Sequence, residues 1–128
     1  MRLGVVGSRE WTDYALMCQV LDEIAPTVIV SGGARGADRL AERYASERGL
    51  SLRVFKPNLI DHRKFRDAAF ARNAEIVADS DQVVAFWIGN STGTAHTIGL
   101  AKKAGKLLRI VEGTPSLFSD QGVMGRQG

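Results

Sequence analysis

Three observations predict a three-layer, doubly wound α/β domain built on a parallel sheet of about five strands. First, the short runs Leu3 to Val6, Thr27 to Val30, Leu52 to Phe55, Gln82 to Phe86 and Leu107 to Val111 are rich in β-branched or aromatic residues. Their hydrophobicity is near-continuous, as in strands buried on both faces. Second, the segments between them carry one apolar stripe each at helical spacing. Third, the connections are short, so strands and helices alternate along the whole chain.

Each element has a local reason. Leu16, Val20, Leu21 and Ile24 form the stripe of the first helix, with Asp13 as its N-cap and Pro26 beyond its end. Ala37, Leu40, Ala41, Tyr44 and Ala45 mark the second, which Gly49 should terminate. Asp38 reads either as its N-cap or as a site residue. Phe70, Ala74, Val77 and Ala78 give the third helix, and Ala95, Ile98 and Ala101 the fourth, ended by Gly105. From Glu112 onward, through Gly113, Pro115, Gly122, Gly125 and Gly128, no period survives. The expected organisation is one domain over residues 1–111 and a flexible tail or oligomer arm over 112–128.

Composition narrows the function. With 128 residues and 45% hydrophobic content, the chain suits a single core. The longest apolar run, Val83 to Ile88, is far short of the roughly 20 residues of a membrane span. Arg2 leads straight into Leu3–Val6 without the apolar segment of a secretory signal, so the expected location is cytoplasmic, with no membrane partner. A single cysteine, Cys18, and two distant histidines offer neither a disulfide nor zinc-ligand spacing. No metal and no cofactor is expected, apart from magnesium carried in by a ligand phosphate. The formal charge of +3 biases the chain only modestly towards anions. Lys102, Lys103, Lys106 and Arg109 complement a helix end, whereas His62-Arg63-Lys64-Phe65-Arg66 with Arg72 is a denser basic cluster.

In an open parallel sheet, ligands sit beyond the carboxyl ends of the strands, near the point where strand order reverses. The loops there are Gly7-Ser8-Arg9-Glu10-Trp11, Ser31-Gly32-Gly33-Ala34-Arg35-Gly36-Ala37-Asp38 and Gly89-Asn90-Ser91-Thr92-Gly93-Thr94. Glycines let backbone amides approach a ligand, and each following helix presents unpaired first-turn donors, which suits phosphate. Arg9 and Arg35 add charged donors. The competing reading is that these glycines merely permit tight turns; three such loops on one edge favour a ligand. No G-x-G-x-x-G follows the first strand and no Walker A sequence exists. Gly89-Asn90-Ser91-Thr92-Gly93 formally satisfies G-x-S-x-G, but His96, the only downstream histidine, is too close in sequence to complete a hydrolase triad.

Taken together, Gly7-Ser8-Arg9, Ser31 to Asp38, Arg72-Asn73, Asp81 and Gly93-Thr94-Ala95-His96-Thr97 resemble the SLOG superfamily, whose fold is Rossmann-like. The match is closest to its small stand-alone YspA-like branch and covers roughly residues 3–111. That superfamily includes the Lonely guy phosphoribohydrolases, the DNA-processing protein DprA, and sensor domains for nucleotide or NAD-derived signals. The resemblance implies that Gly93 and Thr94 hold a nucleotide phosphate. It aligns Gly32, Gly33 and Gly36 with the glycine-rich turn, Ser8 with a small polar site residue, and Arg72 with the arginine that partners the Lonely guy catalytic glutamate. Two departures matter: Gly89-Asn90-Ser91-Thr92 replaces Pro-Gly-Gly-x, and Thr97 occupies the glutamate position.

Glycosidic hydrolysis needs a carboxylate, and threonine cannot supply one. Binding is therefore expected over catalysis, with Asp38 or Glu10 as the only substitutes in nearby loops. The expected ligand is ADP-ribose, cyclic ADP-ribose or an NAD-related signal, sensed or sequestered by a homodimer or homotetramer. Nucleic acid is an unlikely partner in this reading; the alternatives are a phosphoribohydrolase-like nucleotide N-glycosidase and, ranked last, a DprA-like single-stranded DNA binder using Arg63, Lys64 and Arg66. The expected site comprises Gly7, Ser8, Arg9 and Trp11; Ser31, Gly32, Gly33, Arg35, Gly36 and Asp38; Arg72 and Asn73; and Gly89, Ser91, Thr92, Gly93, Thr94, His96 and Thr97. Trp11 is the candidate to stack a base, Trp87 a core residue.

Overall fold

A short strand entering the sheet centre starts the fold. In the computed structural model, which describes residues 1–60 and 65–114, β1 (Arg2–Gly7) is followed by α1 (Tyr14–Ile24), β2 (Val28–Ser31), α2 (Ala37–Arg48) and β3 (Ser51–Val54). Then come α3 (Phe65–Asp79), β4 (Gln82–Ile88), α4 (Thr92–Lys103) and β5 (Leu107–Gly113). The sheet is parallel throughout, in the order β3-β2-β1-β4-β5. The chain winds outward from β1 to β3, crosses back, and winds outward again from β4, so the order reverses between β1 and β4. The doubly wound expectation is met.

The caps follow the sequence. Asp13 accepts from the Leu16 amide at 3.0 Å, and α1 ends in a left-handed Ala25 (φ 56°) before Pro26. Gly49 (φ 67°) closes α2, and Gly105 (φ 69°) follows the end of α4. Helix α2 departs from expectation: Gly36, not Asp38, precedes it, and Asp38 lies in its first turn. Strand β5 runs two residues beyond Val111, because Glu112 and Gly113 pair with Trp87 and Ile88.

Two apolar layers flank the sheet. On the α1/α2 side Leu3, Val5, Met17, Leu21, Ile29 and Phe86 are completely buried or nearly so; on the α3/α4 side Val6, Val30, Ile76, Val83, Ala85 and Ile98 pack together. The expectation of strands buried on both faces fails at the sheet edges. All of β3 is exposed, Leu52 and Val54 included, because α2 and α3 cover the central strands instead. Leu108 of β5 is exposed for the same positional reason.

The predicted stripes of α3 and α4 are met in part: Val77, Ile98 and Ala101 are buried. Ala74, Ala78 and Ala95 face outward, while Ala68, Arg72, Asn73, Ile76 and Val77 of α3 and Thr94, Thr97, Ile98 and Ala101 of α4 face inward. Both helices turn polar groups towards the carboxyl end of the sheet, and a purely apolar stripe misses those positions. Among the described residues, no helix is long and apolar enough to cross a membrane.

Candidate functional site

A cleft of about 720 Å³ opens at the carboxyl edge, beyond β1 and β4, between which the strand order reverses. Val6, Gly7 and Ser8 of β1 and the loop after it form its floor, Arg72, Asn73 and Ile76 of α3 one wall, and Ser91 to Thr94 with Thr97 the other; Arg9, Glu10, Arg66 and Asn90 line it too. A second cavity of about 460 Å³ shares Arg9, Ala34 and Arg72 with it and continues along Gly32, Gly33, Arg35, Lys56 and Pro57. Cationic groups thus run from Arg66 through Arg72 and Arg9 to Arg35 and Lys56.

Several glycines of this edge serve close backbone approach rather than ligand access. At Gly36 (φ 77°) a Cβ would strike the carbonyl oxygens of Ser8 and Arg9, and at Gly7 it would strike Phe86 and Ala37. The first two loops are therefore packed backbone to backbone, an arrangement reinforced by the Ala37 amide donating to the Ser8 carbonyl at 3.2 Å. At Gly89 and Gly93 a methyl group would meet nothing within 4 Å, so only the third loop is open in this sense. Gly93 faces the cleft; Gly89 is exposed outside it.

Hydroxyls divide the same way. Ser8 is buried and uses its Oγ to accept from the Ile88 amide at 2.8 Å, tying β1 to β4. Ser31 donates to Glu42 at 3.1 Å and lies away from the cleft. Ser91 caps α4: its Oγ contacts the Thr94 Oγ1 at 2.8 Å and accepts from the Thr94 amide. The amides of Thr92 and Gly93, in the first turn, have no intrahelical acceptor by helix geometry. Thr97 donates its hydroxyl to the Gly93 carbonyl at 3.2 Å, which stabilises the turn beneath the cleft.

Opposite that helix start stands Arg72, only 8% exposed. Its Nη1 donates to the Gly32 carbonyl at 2.5 Å and its Nε to Asn73 Oδ1 at 3.0 Å. Gly32 is required there, since a Cβ would press on the guanidinium and on Asp38. Among the described residues Nη2 has no acceptor, and burial lowers the Arg72 pKa from its usual value. Asp38, 7% exposed, accepts from the Ala34 amide at 3.2 Å. Desolvation pushes its pKa up from 3.8 to about 6, against the pull of the Ala34 and Gly32 amides and of Arg72.

Trp11 and His96, like Ser31, Gly36 and Gly89, are expected site residues that do not line the cleft. Trp11 is 3% exposed, packs edge-on against Phe86 with ring centroids 5.3 Å apart, and donates its indole N–H to the Asp13 carbonyl at 3.1 Å. It is a core residue whose ring leaves no room for a side chain at Gly113, not a stacking platform. His96 does not line the cleft; it stacks on Phe70 at 3.9 Å and faces Asn73. Trp87 is partly buried and donates to the Ser91 carbonyl, which helps hold the third loop. Asp81 accepts from the Arg2 amide at the opposite end of the sheet. Sequence reading passed over Lys56 and Pro57, because the loop after the third strand carries no glycine, and did not weigh Ala34 or Asn90 singly. Residues 62–64 of the basic cluster and the tail residues 115–128 lie outside the described residues.

Fold and cleft together define a doubly wound α/β protein with a polar, cation-lined cavity at its switch point. Comparison places that class within a family. Residues 1–62 match the family model described as YspA, cpYpsA-related SLOG family. The gene 61 protein of Mycobacterium phage D29 is 37% identical over 115 residues, spanning 81% of this chain and 90% of that protein. The chain belongs to the SLOG superfamily.

Solved structures of DNA processing protein A share the fold. The Helicobacter pylori protein, described for its single-stranded DNA binding mode, superposes with a TM-score of 0.65 at 23% identity, over 85% of this chain and 64% of that one. The Streptococcus pneumoniae protein gives 0.55 at 18% identity, over 96% and 62%. This chain therefore spans less than two thirds of either. These likenesses overturn the expectation that nucleic acid is an unlikely partner, since a protein of this fold is described binding single-stranded DNA.

Proposed function

We propose that the cleft binds a phosphate-bearing, nucleotide-type small molecule such as ADP-ribose, cyclic ADP-ribose or an NAD-related compound, which the protein senses or sequesters. The observation that carries this reading is Arg72: a nine-tenths-buried guanidinium whose Nη2 has no acceptor among the described residues, facing the first turn of α4 across the cavity. A phosphate between them accepts from Nη2 and from the Thr92 and Gly93 amides, and Arg9 and Arg66 add charge at the rim. Charged hydrogen bonds of roughly 1.5–3 kcal/mol each suffice for the about 8 kcal/mol of a micromolar ligand once ordering costs are subtracted.

Hydrolysis is the weaker reading of the same pocket. Thr97 is engaged with the Gly93 carbonyl, which leaves Asp38 and Glu10 as the carboxylates of the cleft. A second class of ligand has its own support: the cavity beyond Arg9 and Arg72, lined by Arg35 and Lys56, extends the cationic surface into a strip, and the H. pylori relative binds single-stranded DNA. A strip of that kind suits a chain of phosphates.

The test mixes purified protein with AMP, ADP-ribose, NAD, cyclic ADP-ribose isomers and a short single-stranded oligonucleotide, follows thermal stability, and analyses each mixture by chromatography before and after denaturation. Recovery of an intact small molecule only after denaturation supports the binder. Free base or ribose phosphate appearing with turnover makes the protein an enzyme. Stabilisation by the oligonucleotide alone, steeply weakened by salt, replaces the small-molecule reading.

A further inference from the structure

Arg72 is held by a directional chain that ends outside the cleft. Its Nε donates to Asn73 Oδ1 at 3.0 Å, and Asn73 Nδ2 lies 3.3 Å from His96 Nδ1. An arginine has no acceptor, so the Asn73 atom facing it must be the oxygen; the amide nitrogen then faces His96 as a donor. His96 Nδ1 must accept, which requires the neutral imidazole with its proton on Nε2.

We propose that His96 is the positioning residue of the anion site: neutral, it locks Asn73 and thereby aims Arg72 across the cleft, and protonated, it releases both. This rests on the reading of the cleft as a phosphate site. An Nδ1 proton sets a donor against the Asn73 amide donor. The amide relieves that conflict by rotating half a turn, which gives its oxygen to His96 and turns its nitrogen towards Arg72 Nε. The Nε bond is lost, and the guanidinium keeps only its contact with the Gly32 carbonyl.

The surroundings favour the neutral ring. It stacks on Phe70 with the planes 12° apart, and burial lowers its pKa below the ordinary 6.5. On α3 Arg66 lies 5.3 Å from the Phe70 ring that His96 stacks on and Arg72 stands beyond Asn73, while Asp67, Glu75 and Asp79 are the acidic residues of that helix. On α4 itself the charges are Lys102 and Lys103 in the last turn. Asp38, the other group at the site that titrates near this range, faces Arg72 from α2.

The test is nuclear magnetic resonance of the ring nitrogens and of the Arg72 Nε–H, with sulfate as an anion that does not itself titrate in this range. At pH 7.5 the wild-type ring should carry its proton on Nε2, and the Arg72 Nε–H should be protected. Both signatures should vanish together at a midpoint below 6.5. His96→Phe keeps a ring on Phe70 but can neither accept from Asn73 nor take a proton, so its Arg72 Nε–H should be less protected than in wild type at pH 7.5 and should not change with pH. Across the same interval sulfate affinity of the wild type relative to that variant should fall about tenfold, the worth of one oriented charged hydrogen bond. The switch should persist in His62→Asn, which removes the other histidine. A ring protonated on Nδ1 at pH 7.5, or the same loss of the Arg72 signal in His96→Phe, overturns the relay. If the Nε–H switch behaves as expected while sulfate leaves Arg72 unmoved at every pH, the relay stands and the phosphate-site reading falls.

Discussion

Replacing Asp38 by Asn should make the protein more stable at neutral pH and remove one component of its pH dependence. The carboxyl is almost fully buried at the cleft, and desolvation raises its pKa from 3.8 to about 6. A folded-state value above the unfolded one means that the native state holds this proton more tightly. Below pH 3.8 both states are protonated and Asp38 costs nothing; between 3.8 and 6 the unfolded chain ionises first and stability is lost; above 6 the full penalty applies. At about 1.4 kcal/mol per unit, that penalty is on the order of 3 kcal/mol. Asn keeps an oxygen for the Ala34 amide and has no charge to desolvate.

Urea denaturation of both proteins from pH 3.5 to 8 measures the difference directly. His96 contributes an opposite slope, because its lowered pKa costs stability as the pH falls below 6.5, but it is common to both proteins and cancels. The Asn variant should exceed wild type by up to about 3 kcal/mol at pH 7.5, with the gap closing towards pH 3.5. Its affinity for sulfate should rise as well, since a negative charge beside Arg72 is gone. Parallel stability curves, with a gap independent of pH, would show that Asp38 ionises as freely in the fold as in the unfolded chain and would refute the reasoning.

Other substitutions separate site from scaffold. Arg72→Lys retains charge but loses the planar donor set that reaches Gly32, Asn73 and the cleft at once, so anion affinity by calorimetry should fall about 10- to 100-fold. Gly36→Ala places a methyl against the Ser8 and Arg9 carbonyls at φ 77°, and chemical denaturation should register a loss of at least about 1–3 kcal/mol. Trp11→Ala should cost about 3–5 kcal/mol of stability through the cavity it leaves beside Phe86, without selectively weakening nucleotide binding once the protein is folded.

The central strands were legible because they are uniform inside: Leu3 to Val6 and Val83 to Phe86 are buried on both faces, so their hydrophobic runs are unbroken. The edge strands offered a weaker signal. Leu52 and Val54 look like core residues in sequence, yet no helix reaches far enough out to cover them. Trp11 was misassigned because position in a loop beside a site says nothing of which way a side chain points, and here the indole turns under α1 towards Phe86.

The misplacement of Ala74, Ala78 and Ala95 in α3 and α4 has a more useful cause. Hydropathy assumes that the inward face of a helix is apolar, so it chose Ala74, Ala78 and Ala95 over Arg72, Asn73, Thr94 and Thr97. The inward stripe of α3 in fact runs Ala68, Arg72 and Ile76 at four-residue spacing, and its polar member is where the helix leaves the apolar layer and meets the cleft. Burying an arginine with a donor to spare is costly unless something anionic completes it. A helix whose best apolar stripe is rotated from its polar one by a single residue therefore carries two messages, one about packing and one about a site. In this chain the second message names Arg72, Asn73, Thr94 and Thr97, and the cleft lies between them.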